Sequence, residues 1–459
     1  LYIAVWRWHF VAGLLVLPVM VLLAITGGAY LFKPEIDHFV YRAMQDVPAR
    51  AAAFAPPSRV IERVEARLHA RVLVFTPPTV RDRAARLLVR GPTDTALTVF
   101  ADPYDGRVTG WTEYGGIMQV VRKIHSLQLF GFWASSIIEV AAGWCIVLVG
   151  TGVFLWWPRK SGPGGVPTRR GGVLSLRWSP GGRVFWRDLH AVTGVLAGGI
   201  ILFLAATGMP WSMFWGAHVQ SWATASSLNV PPPPAAVTPE WLMTASMPKM
   251  PHAPHAPPGD PAAKETMPWA MERMQMPESR QPSAKDPIDV DRAAVIFGQL
   301  GLDPGASITL PEGDKGAYVG TWRPDRVQDS RVVYLDQYTG GVLGDVRFKD
   351  WGFVGKGIEW GIAVHQGQEY GAFNRYLMLA GCVAILVMAV AAVTMWWKRR
   401  PAGSWGMPPA PKQRRATRSL LAIMAAVGAI FPLVGASLLV VLGIEVVVRA
   451  LAGSSTART

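Results

Sequence analysis

Four histidines and the residues spaced around them carry the chemistry of this sequence. His9 and His190 open the first and third long apolar runs, while His125 and His365 stand just before the second and fourth. "IHSLQLFG" at 124–131 and "VHQGQEYG" at 364–371 each place a glutamine (Gln128, Gln368) three residues after the histidine and a glycine six after it. His9 in "RWHFVAG" and His190 in "RDLHAVTG" each have a glycine four residues on and Thr-Gly seventeen on, as Thr26-Gly27 and Thr207-Gly208. His125 and His365 are each followed, 31 residues on, by Trp-Trp. These matching offsets describe two copies of one plan: helix, outer module, helix. The histidines therefore form two pairs by depth, each pair related by the repeat. An ionisable residue at a membrane boundary is a functional candidate by default. Two neutral imidazoles facing each other across a bundle suit axial ligation of an iron porphyrin. With no C-x-x-C-H attachment motif in the chain, the expectation is two non-covalent b-type haems.

A porphyrin is a wide plate, so small residues are expected beside it. Gly13 and Gly194, one helical turn past their histidines, and Gly131 and Gly371, near the other pair, are the clearance candidates. Arg7, Arg187, Arg122, Lys123 and Arg375 are candidates for neutralising haem propionates. His38 and His218 follow His9 and His190 by 29 and 28 residues and are alternative ligands, or could line a substrate site. Gln128 and Gln368 are candidates for orienting the site. A single histidine at a helix end is more often an interfacial residue; it is the symmetric pairing with adjacent glycines that favours haem.

The elements that must hold these residues follow from composition and pattern. The chain has 459 residues, 51% hydrophobic and 17% charged, which is too apolar for an ordinary soluble domain and too charged for membrane helices alone. Five runs reach the roughly 20 residues needed to cross a bilayer: 5–32, 134–157, 188–215, 372–397 and 419–448, the last interrupted by Pro432. The connections 158–187 and 398–418 are basic, and the net charge of +14 owes much to them. Positive loops mark the cytoplasmic side, so the reading is a cytoplasmic N-terminus, segments 33–133 and 216–371 outside, and an outside C-terminus. For a bacterial inner-membrane protein, outside is the periplasm. The first apolar run, without a small-residue cleavage site, reads as an anchor. Cys145 and Cys382 lie in apolar runs and read as buried thiols.

The outer segments have the pattern of small α+β modules. "SRVIERVEARLHA" puts Val60, Ile61, Val64 and Leu68 at helical spacing, and "RVLVFTP", "ARLLVRG" and "ALTVFADPYDGRVTG" read as strands with a turn at Asp105-Gly106. "RVVYLDQYTGGVLGDVRF" repeats that ending in the second module. An insertion at 231–290 is rich in Pro, Ala and Met. Its Met243, Met247, Met250, His252, His255, Met267, Met271, Met274 and Met276 form a possible copper site, because thioether and imidazole suit Cu(I); the bland alternative is a greasy loop. No G-x-G-x-x-G follows a strand, and the short basic loops leave no room for a flavin or nicotinamide domain. The electron donor is then another protein, a diffusible reductant or a quinol. No nucleic-acid partner is expected.

The ordered set "WRWHFVAG…ITGG", "FADPYDGRVTGW", "IHSLQLFG", "WWPRK", "RDLHAVTG…ATG" and "VHQGQEYG" resembles the PepSY-associated transmembrane family, in particular its ferric-siderophore reductase branch. The resemblance covers most of the chain outside 216–330 and 401–459. It implies a polytopic α-helical membrane protein: a four-helix haem-binding core from the internal repeat, plus a fifth helix, carrying two periplasmic α+β PepSY-like modules. It also implies His9, His190, His125 and His365 as haem ligands and a periplasmic ferric siderophore as substrate. The Met-rich insertion and fifth run depart from the family pattern. The alternatives are a haem-dependent periplasmic copper reductase or copper-binding protein, and a non-redox binding or regulatory membrane protein.

Overall fold

A computed structural model describes residues 1–158, 173–178, 182–226, 228–229, 268–271, 276–280, 286–401 and 425–443, with single positions at 403, 406, 408 and 422. Four helices are long and apolar enough to cross a membrane: α1 (Tyr2–Tyr30), α5 (Gly131–Trp156), α6 (Arg183–Gly208) and α10 (Gly371–Arg399). The protein is thus a polytopic helical membrane protein with a sheet region. Each helix is apolar around its whole circumference, as a helix must be when lipid covers one face and partner helices the other.

The four helices pack as a bundle, with α1 against α5 and α10, and α6 against α5 and α10. Its centre is an apolar layer of Ala24, Cys145, Ala197, Ile201, Cys382, Ala384 and Ile385. Both cysteines are buried free thiols, as their apolar settings imply. At one end of the bundle, called here the loop side, the Arg399 guanidinium lies over the Trp6 and Phe10 rings. At the other end lies the sheet.

The two expected modules are joined into one sheet. Strands β1 (Arg71–Thr76), β2 (Ala85–Arg90), β3 (Ala96–Ala101) and β4 (Val108–Glu113) come from the first repeat. Strands β5 (Ser307–Thr309), β6 (Ala317–Trp322), β7 (Arg331–Asp336) and β8 (Val342–Arg347) come from the second. The order is β4-β3-β2-β1-β5-β6-β7-β8, and the halves meet where Val74 pairs with Thr309 and Phe75 with Ile308. Pairing β1 with β5 satisfies the row of backbone groups that each half would otherwise expose at an edge. Register shifts fall at equivalent places, between Phe100 and Ala101 and between Tyr334 and Leu335. The following turns also match: Asp102 accepts from the Tyr104 N–H and Asp336 from the Tyr338 N–H, both at 2.9 Å.

One face of the sheet is covered by α3 (Pro57–Leu68) and α8 (Val290–Gln299). Val60, Ile61 and Val64 from α3, with Leu68 at the margin, join Val290, Ala293 and Phe297 of α8 in a common core. On the other face, Tyr41 of α2 (Lys33–Gln45) stacks on Phe100, and Ile362 of α9 (Phe353–His365) packs with Val332, Tyr334 and Val346. Helix α4 (Gly116–His125) packs against α1 and α2, and α7 (Trp215–Ala225) against the turn Met209–Trp211.

The fifth run is not one continuous span among the described residues. Among the described residues its helix α11 (Pro432–Gly443) is shorter than a bilayer crossing requires. A Cβ on Gly428 would lie 2.7 Å from the Gly435 Cα, whereas seven residues of straight helix rise about 10.5 Å. The chain therefore folds sharply at Phe431-Pro432, because proline cannot donate the hydrogen bond that would continue the preceding helix. Val434 and Leu438 pack against Ala12, Val16, Ala141 and Trp144 of α1 and α5, outside the four-helix core. The expected outside C-terminus rested on a straight fifth crossing, which the described residues do not form.

Candidate functional site

The paired histidines occupy two levels of the bundle. His9 on α1 and His190 on α6 face each other near the loop side, with ring centroids 6.3 Å apart and planes at 87°. Two first-row metal–imidazole bonds of about 2 Å each, plus the half-width of each ring, account for a separation of that size. His125 and His365 end α4 and α9 at the sheet side. Along α1, the 17 residues from His9 to Thr26 separate the levels by about 25 Å.

Every one of these imidazoles has its Nδ1 on an oxygen. His125 Nδ1 lies 2.8 Å from Thr26 Oγ1, and His365 Nδ1 lies 2.8 Å from Thr207 Oγ1. His9 Nδ1 lies 2.9 Å from Thr151 Oγ1, and His190 Nδ1 lies 3.1 Å from the Met388 carbonyl. Each threonine hydroxyl donates its one hydrogen back to its own helix, to the carbonyls of Leu22, Phe203 and Val147 at 2.6, 2.7 and 2.8 Å. The threonine oxygen can then only accept from the ring, as a carbonyl must. All four histidines are therefore held as the Nδ1–H tautomer, which leaves the Nε2 lone pair as the donor. That is the arrangement by which a backbone or side-chain oxygen orients a metal-binding imidazole. Burial pushes the His125 ring down to about 4. Burial, reinforced by neighbouring His125, pushes His365 down to about 3. Both rings at the sheet side are thus neutral at physiological pH.

The glycines that give the rings room are mostly ones that sequence reasoning passed over. A Cβ on Gly27 would come within 3.2 Å of His125 Cε1, and one on Gly152 within 3.3 Å of His9 Cε1. Gly208 stands 3.8 Å from His365 Cε1 by the same measure. Gly194 faces the Met388 sulfur at 3.1 Å, and Gly13 has only Leu148, at 4.0 Å. Nothing lies within 4 Å of a Cβ on Gly131 or Gly371. Their task is conformational: φ is +86° at Gly131 and +60° at Gly371, a region that favours glycine. Leu127 and Gly367, two residues after the histidines, also have positive φ, at 52° and 71°. The repeated phrase thus encodes a tight turn from the histidine into the next span. Thr151-Gly152 is a further Thr-Gly pair whose threonine holds a histidine, 26 residues after His125; Ala391-Ala392 takes that place after His365, and there His190 uses a backbone carbonyl instead.

The cations proposed for propionates are largely engaged with protein groups. Arg187 and Arg177 both clamp Asp188, which is fully buried; Arg187 Nη2 lies 2.5 Å and Arg177 Nε 2.8 Å from its carboxylate. Arg375 pairs with Glu35 and lies over the Phe32 ring. Arg7 donates to the Pro408 carbonyl at 2.9 Å and Arg122 to Gln119 Oε1 at 2.9 Å. Lys123 lies on the exposed side of α4. His38 pairs with Asp46 at 3.0 Å, and His218 bonds the Phe214 carbonyl at 2.7 Å on an exposed face of α7. Neither joins the four paired rings.

Of the copper candidates, Met243, Met247, Met250, His252, His255, Met267 and Met274 lie outside the described residues. Met271 is buried with Trp269 against Val319, Val332, Tyr334, Val346, Trp351 and Ile362, so it serves packing. Met276 is 45% exposed. The Trp269–Met271 turn is anchored by Gln220 and Asn229, whose amides donate to the Trp269 and Ala270 carbonyls at 2.8 and 2.7 Å. Buried Glu359 accepts from this turn and lies 3.3 Å from Arg323. Burial raises its carboxyl above the usual range, against the pull of Arg323.

No curated protein matches the chain. The profile of the PepSY-associated TM region family matches residues 6–399, so the four long helices, apart from the first turn of α1, both histidine levels and the eight-stranded sheet fall within the match. The chain belongs to the PepSY-associated TM region family.

Proposed function

We propose that the protein is a di-haem b reductase of the bacterial inner membrane, passing electrons from the loop side to a ferric siderophore at the sheet side and releasing Fe(II) for uptake. The observation that carries this reading is the repeated oxygen contact at Nδ1, which leaves the Nε2 lone pair of all four histidines, grouped at two levels of the bundle, available as a donor. The donor set fits a porphyrin iron, which His9, His190, His125 and His365 would hold. Bound at these levels, haem b supplies one-electron redox chemistry. The threonines and the Met388 carbonyl fix ring orientation and raise imidazole basicity. Gly27 and Gly152 make the close approach to the rings possible. The apolar layer around Cys145 and Cys382 excludes water between the levels.

Hydroxamate or catecholate oxygens are hard ligands that hold Fe(III) far better than Fe(II). One added electron therefore converts a tight chelate into one that exchanges its metal. The basic segments 158–187 and 398–418 favour a cytoplasmic loop side, which puts the sheet in the periplasm. The donor is a cytoplasmic protein, a diffusible reductant or a quinol.

The test is a reduced-minus-oxidised spectrum of the purified protein with haem quantified per chain. Two haems are expected, falling to one in H9A and to one in H125A; addition of a ferric siderophore should reoxidise the reduced protein. A wild-type protein without Soret absorbance, or unchanged haem in both variants, sinks the reading.

A further inference from the structure

We propose that Trp211 is the docking platform for the metal chelate at the sheet side. This rests on the reductase reading above and deepens it by naming the surface its substrate touches. Trp211 ends the turn Met209–Trp211 at the sheet-side end of α6. Its indole meets the His365 ring edge-on, with centroids 6.4 Å apart and planes at 80°. It is 40% exposed, so the same side chain touches a paired histidine and keeps part of its surface accessible.

Two features separate it from an interfacial anchor. Trp133, Trp157 and Trp397 are 81%, 62% and 61% exposed, as belt tryptophans are, whereas Trp211 is turned inward onto His365. Its backbone is also fixed: Met209 and Pro210 beside it are buried, and the Pro210 carbonyl accepts from Trp269 Nε1 at 3.2 Å. The indole is thus presented on a rigid support rather than a floppy loop end. The repeat supplies a second aromatic at the same offset. Tyr30 follows Thr26 by four residues, as Trp211 follows Thr207, placing one aromatic a turn beyond each threonine that holds a sheet-side histidine. An exposed indole face offers stacking to planar conjugated groups, and the hydroxamate or catecholate arms of an iron chelate are such groups. A chelate stacked on Trp211 sits beside His365, at the point nearest the sheet-side pair.

The experiment uses the full chain in nanodiscs and a redox-inert probe, the Ga(III) complex of a trihydroxamate, so that binding is read without turnover. Wild-type protein should bind the complex with quenching of tryptophan fluorescence and a calorimetric isotherm. Trp211→Ala should weaken binding about tenfold and Trp211→Phe much less, with haem content unchanged in both. Trp211→Leu keeps apolar bulk against His365 without a large π face and should behave as the alanine variant does. Binding of wild-type strength in the alanine or leucine variant overturns the assignment. So does loss of haem from both, which would make Trp211 a residue of the fold. A wild-type protein that lacks haem but binds the probe through Trp211 separates failure of the reductase reading from failure of this one.

Discussion

Thr26 and His125 lie 99 positions apart in the chain and meet at 2.8 Å. Thr207 and His365, separated by 158 positions, meet at the same distance. Each threonine caps the travel of a ring carried by another element, so ring orientation depends on how α4 docks on α1 and α9 on α6.

Thr26→Val keeps the shape and removes the acceptor, leaving a buried Nδ1–H without a partner. Loss of such an orienting contact typically costs 10- to 100-fold in metal affinity. We expect T26V to lower haem retention at the sheet-side level by about that range and to leave the His9–His190 level intact. Thr26→Ser should retain most of it. Haem titration with the two levels distinguished in an H9A background measures this; equal retention in T26V and wild type would refute the tautomer assignment.

Asp188 makes a second prediction. It is fully buried, two residues from His190, and held by Arg177 and Arg187, whose side chains are 39% and 33% exposed. Removing one partner from a buried ion pair typically costs 3–5 kcal/mol. Because both guanidinium groups reach solvent, D188A should fall toward about 2 kcal/mol. Thermal unfolding in detergent should show that loss in D188A and a smaller one in R187A, where Arg177 still pairs.

The histidine pairs could be read from the sequence because their offsets repeat, and chemistry-bearing residues stand out against apolar runs. Thr26-Gly27 and Thr207-Gly208 were visible as repeat markers, but nothing in a linear spacing says that the threonine meets a histidine on a different helix. Thr151 was harder still, since Ala391 takes its place in the second copy. The strands were legible from alternation, whereas the β1–β5 junction was not, because edge-to-edge pairing leaves no periodic signature. Pro432 signalled a break; the contact between Gly428 and Gly435 that turns the break into a sharp fold depends on backbone packing alone. The proposed propionate arginines were drawn by proximity in sequence, and local carboxylates such as Asp188 and Glu35 hold two of them.

A pH dependence belongs to the sheet. Arg331 grips Asp345 with two bonds of 2.8 Å across β7 and β8, and that contact holds the Asp345 carboxyl below its usual range. A depressed folded pKa contributes stability that is fully present above the unfolded value, about 3.9. It is lost as pH falls through the folded value. The pair is partly exposed, so its worth is about 1 kcal/mol or less. Thermal midpoints should fall less steeply below about pH 4 in D345N than in wild type. Parallel curves would remove Asp345 as a source of acid sensitivity.

Gly143 and Val434 test the fifth segment. A Cβ on Gly143 would lie 2.2 Å from Val434 Cγ2, and Val434 is completely buried between α1 and α5. The valine has no long stem with which to yield, so Gly143→Ala must push α11 off the bundle. Overpacking of this kind costs about 1–3 kcal/mol, and helix propensity, which favours alanine over glycine by about 1 kcal/mol, offsets only part of it. The contact from Trp144 Nε1 to Ser437 Oγ at 3.0 Å should weaken with it, since both partners flank the clash. Val434→Ala alone removes packing and should also destabilise. In the double variant the clash is gone, so the two effects should cancel in part, with a favourable coupling above about 0.5 kcal/mol. Thermal unfolding of the four proteins closes the cycle. Strictly additive losses would mean that α11 does not dock at Gly143.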